Sequence, residues 1–568
     1  MTEAEAGEAG VGVSEAERGE AEWPLRPWLL AGLFGLAGLL IHFATNGHDD
    51  DPVRGALAAF LLFGAIAAGF TLEPGRWKAP SLFAVLVGLV MAGLTWRAVR
   101  YGESLPDEEY GFAAGVVASA LALPLFQAGF HKRRMATRYP EVYGHVWTDA
   151  ICAAGTAAFT GLSWLVLLLL SELFHLLKID LLRDLIDDGW FGLTFTGLAA
   201  GAALGTLRNQ VRILATLQTV VLLVASLLAV PLALSLAVFL LATAVSGPQV
   251  LWDATRNATP LLLACAAGAF VLANAIARQD DSAMTGNRVM RGAGLVLAAV
   301  ILPLAVFAAF SMGLRLNQYG LAPERLWALV AIVVACVCGV GYWVALGRGL
   351  RSGWAAYLRR ATFHAGLFVC ALAVLLALPI LDFGSISTRN QLARLENGTV
   401  TAEEFDFAAL RWDFGEAGRR ALQRLTQSDN PKVAELAQIA LQQTNRPYRA
   451  FRESIRAAGD FDLRVQPDDP ELRRLVLDYL VSNPWPCTRQ CLALDIGDGT
   501  AEGGERKVAI IEGNSYHGVY LPSGQLVAPR DGNFWQLGTL KENSKVEIRD
   551  VTRRYIFIDG KPMGAPLD

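Results

Sequence analysis

FHAGLFVCALAVLLALPILDF, Phe363 to Phe383, is the stretch that decides how this chain is read. It is the last apolar run long enough to cross a hydrocarbon layer, which takes about 20 residues of helix. Ten further runs of the same kind precede it, separated by short charged loops. The residues after it carry turns, helix caps and alternating patterns instead. The fold class that follows is a polytopic α-helical membrane protein of eleven spans, continued by a soluble α+β C-terminal region.

Composition agrees. Charged residues make up 18% of the 568 and AVILMFWYC residues 53%, against about 25% charged in an average soluble chain. The net charge of -4 averages an acidic N-terminal stretch, basic loops and a mixed C-terminal region. It offers none of the basic surface that nucleic-acid binding requires, so the partners expected are the lipid bilayer and a periplasmic or envelope protein. Cys152, Cys265, Cys336, Cys338 and Cys370 lie inside apolar runs, where a free thiol behaves as a small hydrophobe. Cys487 and Cys491 lie in soluble sequence and can pair in an oxidising compartment.

Residues 1–24 form an acidic tail without the apolar content to fold, read as disordered. The tail lacks the basic start and small-residue cleavage site of a signal peptide, so Pro27 to Thr45 is expected to remain as the first span. The others are Val53 to Leu72, Ala79 to Trp96, Gly111 to Phe130, Ala150 to Leu177, Trp190 to Leu207, Ile213 to Ser246, Pro260 to Ala277, Gly292 to Gly313, Leu326 to Gly347 and Phe363 to Phe383. Residues 25–383 are thus a membrane domain, 384–484 a helical linker and 485–568 a small β-rich domain.

Lys and Arg set the orientation, because cationic loops stay on the cytoplasmic side. With the N-terminus inside, the inner loops hold fifteen, from Arg76 and Lys78 to Arg359 and Arg360, against eight outside. Ile213 to Ser246 tests the parity: as one helix it would measure about 51 Å, long for one span and short for two. Splitting it at Pro231 would abolish the charge bias, so a single tilted or kinked helix is expected, with the C-terminal region periplasmic.

Within the spans, Gly197, Gly201 and Gly205 recur every four residues and line one helix face for close packing. Pro124, Pro303 and Pro379 are expected inside spans. Polar residues there are few: Gln127, Gln218, Asn274 and Glu172. At the outer boundary His42, His48, Asp49, Asp50, Asp51, Glu172 and His175 form a polar cluster, joined by Asp107 to Glu109 and by Asp184, Asp187 and Asp188. Carboxylate with imidazole suits a divalent metal or a proton relay, and solvated loop acids are the plainer reading. No catalytic, cofactor or metal residue is assigned, and the sequence leaves any cofactor unknown.

After Phe383, helices are expected from Ser385 to Glu396, from a Thr401/Glu404 capping box, after Asn430-Pro431 and after Asp469-Pro470. CLALDIG, KVAIIEG, FWQLGTL, KVEIRDV and RYIFIDG read as strands, with Asp559-Gly560 a hairpin turn. DIGDGTAEGGER from Asp495 lacks the ligand alternation of a calcium loop and reads as a glycine-rich turn.

PLRPWLLAGLFGLAGLLIHF at the start, the many-span block, and RNQLARLENGTVTAEEFDFAALRWDFGEAGRRAL resemble a family of bacterial integral membrane proteins, domain of unknown function 4153. The resemblance implies a bacterial inner-membrane location and brings no catalytic residue with it. The layout is also similar to multi-span polyprenyl-dependent glycosyltransferases, whose early outer loops are acidic, but the first outer loop here is short. No nucleotide loop, nucleophile elbow or metalloprotease motif occurs. The expected function is therefore an envelope binding, scaffolding or sensing module rather than an enzyme, with transport of a small solute or ion and the glycosyltransferase-like reaction as alternatives.

Overall fold

A computed structural model describes residues 23–47, 51–106, 108–247, 258–349, 353–442, 462–482, 487, 490–498, 506–512, 515–521, 535–536, 554–558 and 561–567. Most of the acidic tail, His48, Asp49, Asp50, Asp107, residues 499–505 of the glycine-rich stretch and KVEIRDV lie outside them, whereas residues 495–498, expected in the turn, belong to a strand. By contacts the chain divides into two units, Met1–Gln442 and Gln443–Asp568.

Among the described residues, the first unit holds eleven helices long and apolar enough to cross a membrane. They are α1 Arg26–Thr45, α2 Pro52–Thr71, α3 Lys78–Tyr101, α4 Glu108–Gln127, α5 Tyr139–Leu176, α6 Gly189–Asn209, α7 Val211–Ser246, α8 Ala258–Ala277, α9 Arg288–Tyr319, α10 Pro323–Gly349 and α11 Trp354–Ala377. Helix is the form that satisfies every backbone polar group within one segment, which is why each apolar run takes it. The disputed run is one helix, α7, with Pro231 inside it. Pro124 and Pro303 lie within α4 and α9.

Pro379 does not lie within a helix. Leu378 caps α11 in an extended conformation, φ -75° and ψ 145°, as the steric demand of a following proline dictates. The last span accordingly starts nine residues earlier than its apolar run and ends at Ala377, and Phe383 opens the next helix. α5 likewise begins at Tyr139, well before Ala150, because Tyr139–Asp149 continues the helix in mixed polar and aromatic sequence.

Two helix groups form separate cores and share α7. In the first, Leu30 of α1, Phe70 of α2, Ile151 and Cys152 of α5 and Leu204 of α6 share a core, joined by Leu214 of α7. In the second, α7 to α11 enclose Ala269, Ala273, Ile276, Leu297, Ile301, Leu304, Tyr342 and Leu358. α3 packs on α2, and α4 bridges to α11, where Cys370 Sγ lies 3.9 Å from Ala118 O.

Four further helices form a cap on this unit: α12 Phe383–Glu396, α13 Phe407–Trp412, α14 Gly415–Leu425 and α15 Pro431–Gln442. Asp382 caps α12 by accepting from Ser385 N at 3.0 Å, and Gly398 turns the chain at φ +68°. Thr401 does accept from Glu404 N at 3.3 Å, but this pair forms a turn. The helix that TAEEFDFAALRW provides starts later, where Asp406 accepts from Ala409 N at 3.0 Å. Phe405, Phe407, Leu410, Phe414, Leu422, Val433 and Ala437 fill the cap, and Ala322, just before α10, enters the same core.

The cap is bolted to loops of the membrane helices. Gln391 Nε2 donates to Tyr319 O and Leu321 O, both at 2.8 Å. Arg394 donates to Asn317 O and Gln318 O at 3.1 and 2.8 Å, and Asn390 Oδ1 accepts from Leu321 N at 2.8 Å. Gly415, at φ +61°, sits so close to Ser104 and Pro106 that a side chain there would strike backbone. This end of the unit is called the cap end below, and the opposite end, where Arg208, Arg278 and Arg359 lie, the basic end.

The second unit contains a sheet in the order β1-β2-β3-β4-β5. Its strands are β1 Asp462–Gln466, β2 Gln490–Asp498, β3 Arg506–Glu512, β4 Ser515–Leu521 and β5 Trp535–Gln536. β1 runs parallel to β2 and the remaining pairs are antiparallel. α16, Pro470–Ser482, contributes Leu472, Val476, Tyr479 and Leu480 to a core shared with Leu463, Val465, Cys491, Ala493, Val508 and Ile510. β6 Arg554–Ile558 and β7 Lys561–Leu567 pair antiparallel, with Ile558 opposite Lys561. Asp559-Gly560, the expected turn between them, lies outside the described residues.

Candidate functional site

One group of polar side chains enclosed by the membrane helices lies near the basic end. Asn274, one turn before the end of α8, is 7% exposed, and Tyr342 of α10 is fully buried. Asn274 Nδ2 donates to Phe270 O at 2.8 Å and to Tyr342 Oη at 2.6 Å. Its Oδ1 accepts from Thr362 Oγ1 of α11 at 2.9 Å and faces Tyr139 Oη of α5 at 3.5 Å. Tyr342 Oη and Thr362 Oγ1 are 2.8 Å apart. The protons can be assigned around the ring: Asn274 gives to Tyr342, Tyr342 to Thr362, and Thr362 back to Asn274. Each hydroxyl spends its one proton once, and the amide orientation is fixed because Phe270 O can only accept.

Two more contacts tie α5 to this ring. Tyr143 Oη donates to the backbone oxygen of Asn274 at 3.3 Å, and Tyr143 shares a small core with Leu222 of α7 and Ala275 of α8. Phe270 stacks on Tyr342 with ring centroids 5.4 Å apart. One turn before Thr362, the guanidinium of Arg359, 7% exposed, closes the end of α8. It donates to Ala277 O at 3.1 and 2.7 Å, to Arg278 O at 3.1 Å and to Asp281 at 2.8 Å. A cation there meets the negative end of the helix dipole and the carbonyls that have no partner within the helix.

Arg208 repeats the device in the first group. It donates to Gly69 O and Leu72 O at the end of α2, at 2.6 and 3.3 Å, and its own carbonyl accepts from Arg26 at 2.8 Å. Beyond α8 the loop is ordered by Asp280, which accepts from Ser282 Oγ at 2.6 Å and Ala283 N at 2.8 Å. These bonds, the Ser282 hydroxyl foremost, hold the Asp280 carboxyl below its usual range.

The ring is built from neutral groups and joins α8, α10 and α11. Of its members, sequence reading singled out only Asn274. Tyr139, Tyr143, Tyr342 and Thr362 resemble ordinary packing residues in an apolar run, and Arg359 counts as a loop charge. The available signal was Tyr139, Tyr143 and Trp147 at i, i+4 and i+8, one face of a helix.

The expected outer cluster is spread along the cap end. His42 packs against the start of α6, where a side chain on Gly189 would come within 3.1 Å of its ring. Asp51 caps α2, accepting from Val53 N at 2.9 Å and Arg54 N at 3.4 Å. Glu172 is exposed, and His175, also exposed, pairs with Asp180 at 2.5 Å. Among the described residues no three His, Cys, Asp or Glu side chains come together as a metal site. Gln127 donates to Phe70 O at 2.9 Å and to Asp149 at 3.2 Å. Gly197, Gly201 and Gly205 face α1: a Cβ on the first would strike Phe34 O, on the second Leu30 O, and on the third Pro27 Cα. Cys487 and Cys491, both 1% exposed, are joined as a disulfide with Cα atoms 5.8 Å apart.

A family model described as Domain of unknown function (DUF4153) matches residues 56–425, more than half of the chain, and the chain belongs to that family. The match runs from within α2 to the end of α14, so cap helices share the family's domain with the spans. No curated protein and no solved structure matches.

Proposed function

With membership of that family as the premise, we propose that this multi-pass membrane protein is a bacterial inner-membrane scaffold presenting its C-terminal unit in the periplasm, where that unit binds or senses an envelope partner. The observation that carries the reading is the Cys487–Cys491 disulfide in the core of the second unit. Disulfides persist in oxidising compartments and are rare where cytosolic thiol systems act. Support also comes from the excess of Lys and Arg in loops on the N-terminal side, which keeps that side cytoplasmic and puts the far end of an odd number of spans outside. The cap makes α12 to α15 a continuation of the membrane helices, so the chain leaves Gln442 from an anchored base.

Transport of a small solute or ion is a second reading, favoured by the Asn274 ring buried among α8, α10 and α11. Its polar atoms are taken up by one another and by helix carbonyls, which suits a joint better than a binding site.

The test is a chain ending at Gln442, expressed in a strain lacking the gene. It should insert and remain folded yet fail to restore the function lost by deletion. Full restoration by the truncated chain would overturn the reading.

A further inference from the structure

α5 belongs to the first helix group along its apolar length. Trp164 Nε1 donates to Thr196 Oγ1 of α6 at 3.0 Å, its ring meets Phe195 edge-on at 5.2 Å, and a side chain on Gly155 would come within 2.9 Å of Leu207. One face at the start of α5 carries Tyr139, Tyr143 and Trp147, which touch α7 and α8 of the second group. Helical periodicity continues that face through Ala150, Ala154, Ala157, Ala158 and Gly161. All five are exposed, and a side chain on Gly161 would meet nothing within 4 Å.

The facing helix shows the same change. Ala275 of α8 is fully buried against Tyr143, and the face that continues from it toward the cap end, Val271, Ala267 and Ala264, is exposed. On this side the two groups touch at the basic end and part beyond it. The hydrogen bonds that join them there run from the hydroxyls of Tyr139 and Tyr143 to Asn274, which Tyr342 and Thr362 hold from within the second group.

We propose that the hydroxyls of Tyr139 and Tyr143 on Asn274 are a conformational latch, which closes α5 of the first helix group against α8 of the second and whose release lets the two part at the basic end. Its chemistry suits the role. Neutral hydroxyls and one amide leave no unpaired charge when they part, and each can be satisfied by a neighbouring backbone carbonyl or by water entering from the basic end. Hydrogen bonds between membrane helices are individually weak, so removing one shifts such an equilibrium by about three- to twenty-fold. A two-state element of this kind is biased, not destroyed, by loss of one bond.

The experiment places spin labels at Val146 of α5 and Val289 of α9, both exposed near the basic end, in full-length protein reconstituted in lipid nanodiscs, with the five free cysteines replaced. The parent should give one dominant distance. Tyr139→Phe and Tyr143→Phe should each raise a longer component by about three- to twenty-fold. Each removes a single hydroxyl, and either serves if the other does not fold. Trp343→Phe is the control: it removes a 2.8 Å bond to Ala299 O that lies wholly within the second group, and should leave the distances unchanged. Parent-like distributions in both tyrosine variants would overturn the latch, as would an equal broadening in Trp343→Phe.

Discussion

α6 meets α1 through glycine, whereas α5 meets α8 through hydroxyls and an amide, and the two contacts differ in what can undo them. At Gly197 and Gly201 the atoms that a side chain would strike are backbone oxygens of α1, which no rotamer change can move away. Gly35 and Gly38 of α1 answer from the other side, facing Leu198 and Leu193 of α6. Such a joint is held by close backbone approach and dispersion along its length, and it has no partly open form. The Asn274 ring is a set of directional bonds over a short stretch, each of which can be exchanged. A membrane offers helices no hydrophobic drive to associate, so shape makes the permanent joint and polarity the adjustable one.

The largest effect expected is at the glycine joint. Gly201→Val should destabilise the first helix group by about 3 kcal/mol or more, since the clash is with backbone rather than a flexible side chain. Thermal unfolding in detergent should show it, and a variant as stable as the parent would mean that α1 does not lie where it is placed. Next comes Arg359→Gln. It removes the charged cap from Ala277 O and Arg278 O and should cost about 1.5–3 kcal/mol, mostly from the buried carbonyl bonds. The ion pair with Asp281 contributes little, because that carboxylate is 69% exposed. Asp281→Asn should therefore be near neutral, and an equal loss in the two variants would reverse the assignment.

The smallest effect concerns pH. Asp280 has a lowered carboxyl pKa in the folded chain, so its contribution is present above the ordinary carboxylate range and is lost as pH falls through the lowered value. Hydrogen exchange at Ser282 and Ala283 should quicken toward strongly acidic pH while the ring, which contains no carboxylate, keeps its protection. Parallel loosening of both would show that the loop and ring open together.

Much of the membrane fold was legible because lipid enforces it. Each run of about 20 apolar residues must become a helix, and the four-residue spacing of Gly197, Gly201 and Gly205 survives as a face. The Asn274 ring was not legible, because its members come from four helices and Tyr or Thr within an apolar run looks like packing. Arg359 was hidden differently: a residue two turns inside α11 was counted with the loop before it. The docking of α12 on Tyr319–Leu321 depends on loops far apart in sequence, and no local pattern announces it. In the second unit, SYHGVYL was passed over because Gly518 and its mixed polarity obscure a strand that pairs with β3 along its length.

The most direct test of the account is a pair of fusions at Asp568, alkaline phosphatase in one and green fluorescent protein in the other, each compared with the same fusion after Gln210, between α6 and α7. At Asp568 the account predicts phosphatase activity without fluorescence, and after Gln210 the reverse. Fluorescence at Asp568 without phosphatase activity would contradict eleven spans with a periplasmic C-terminal unit.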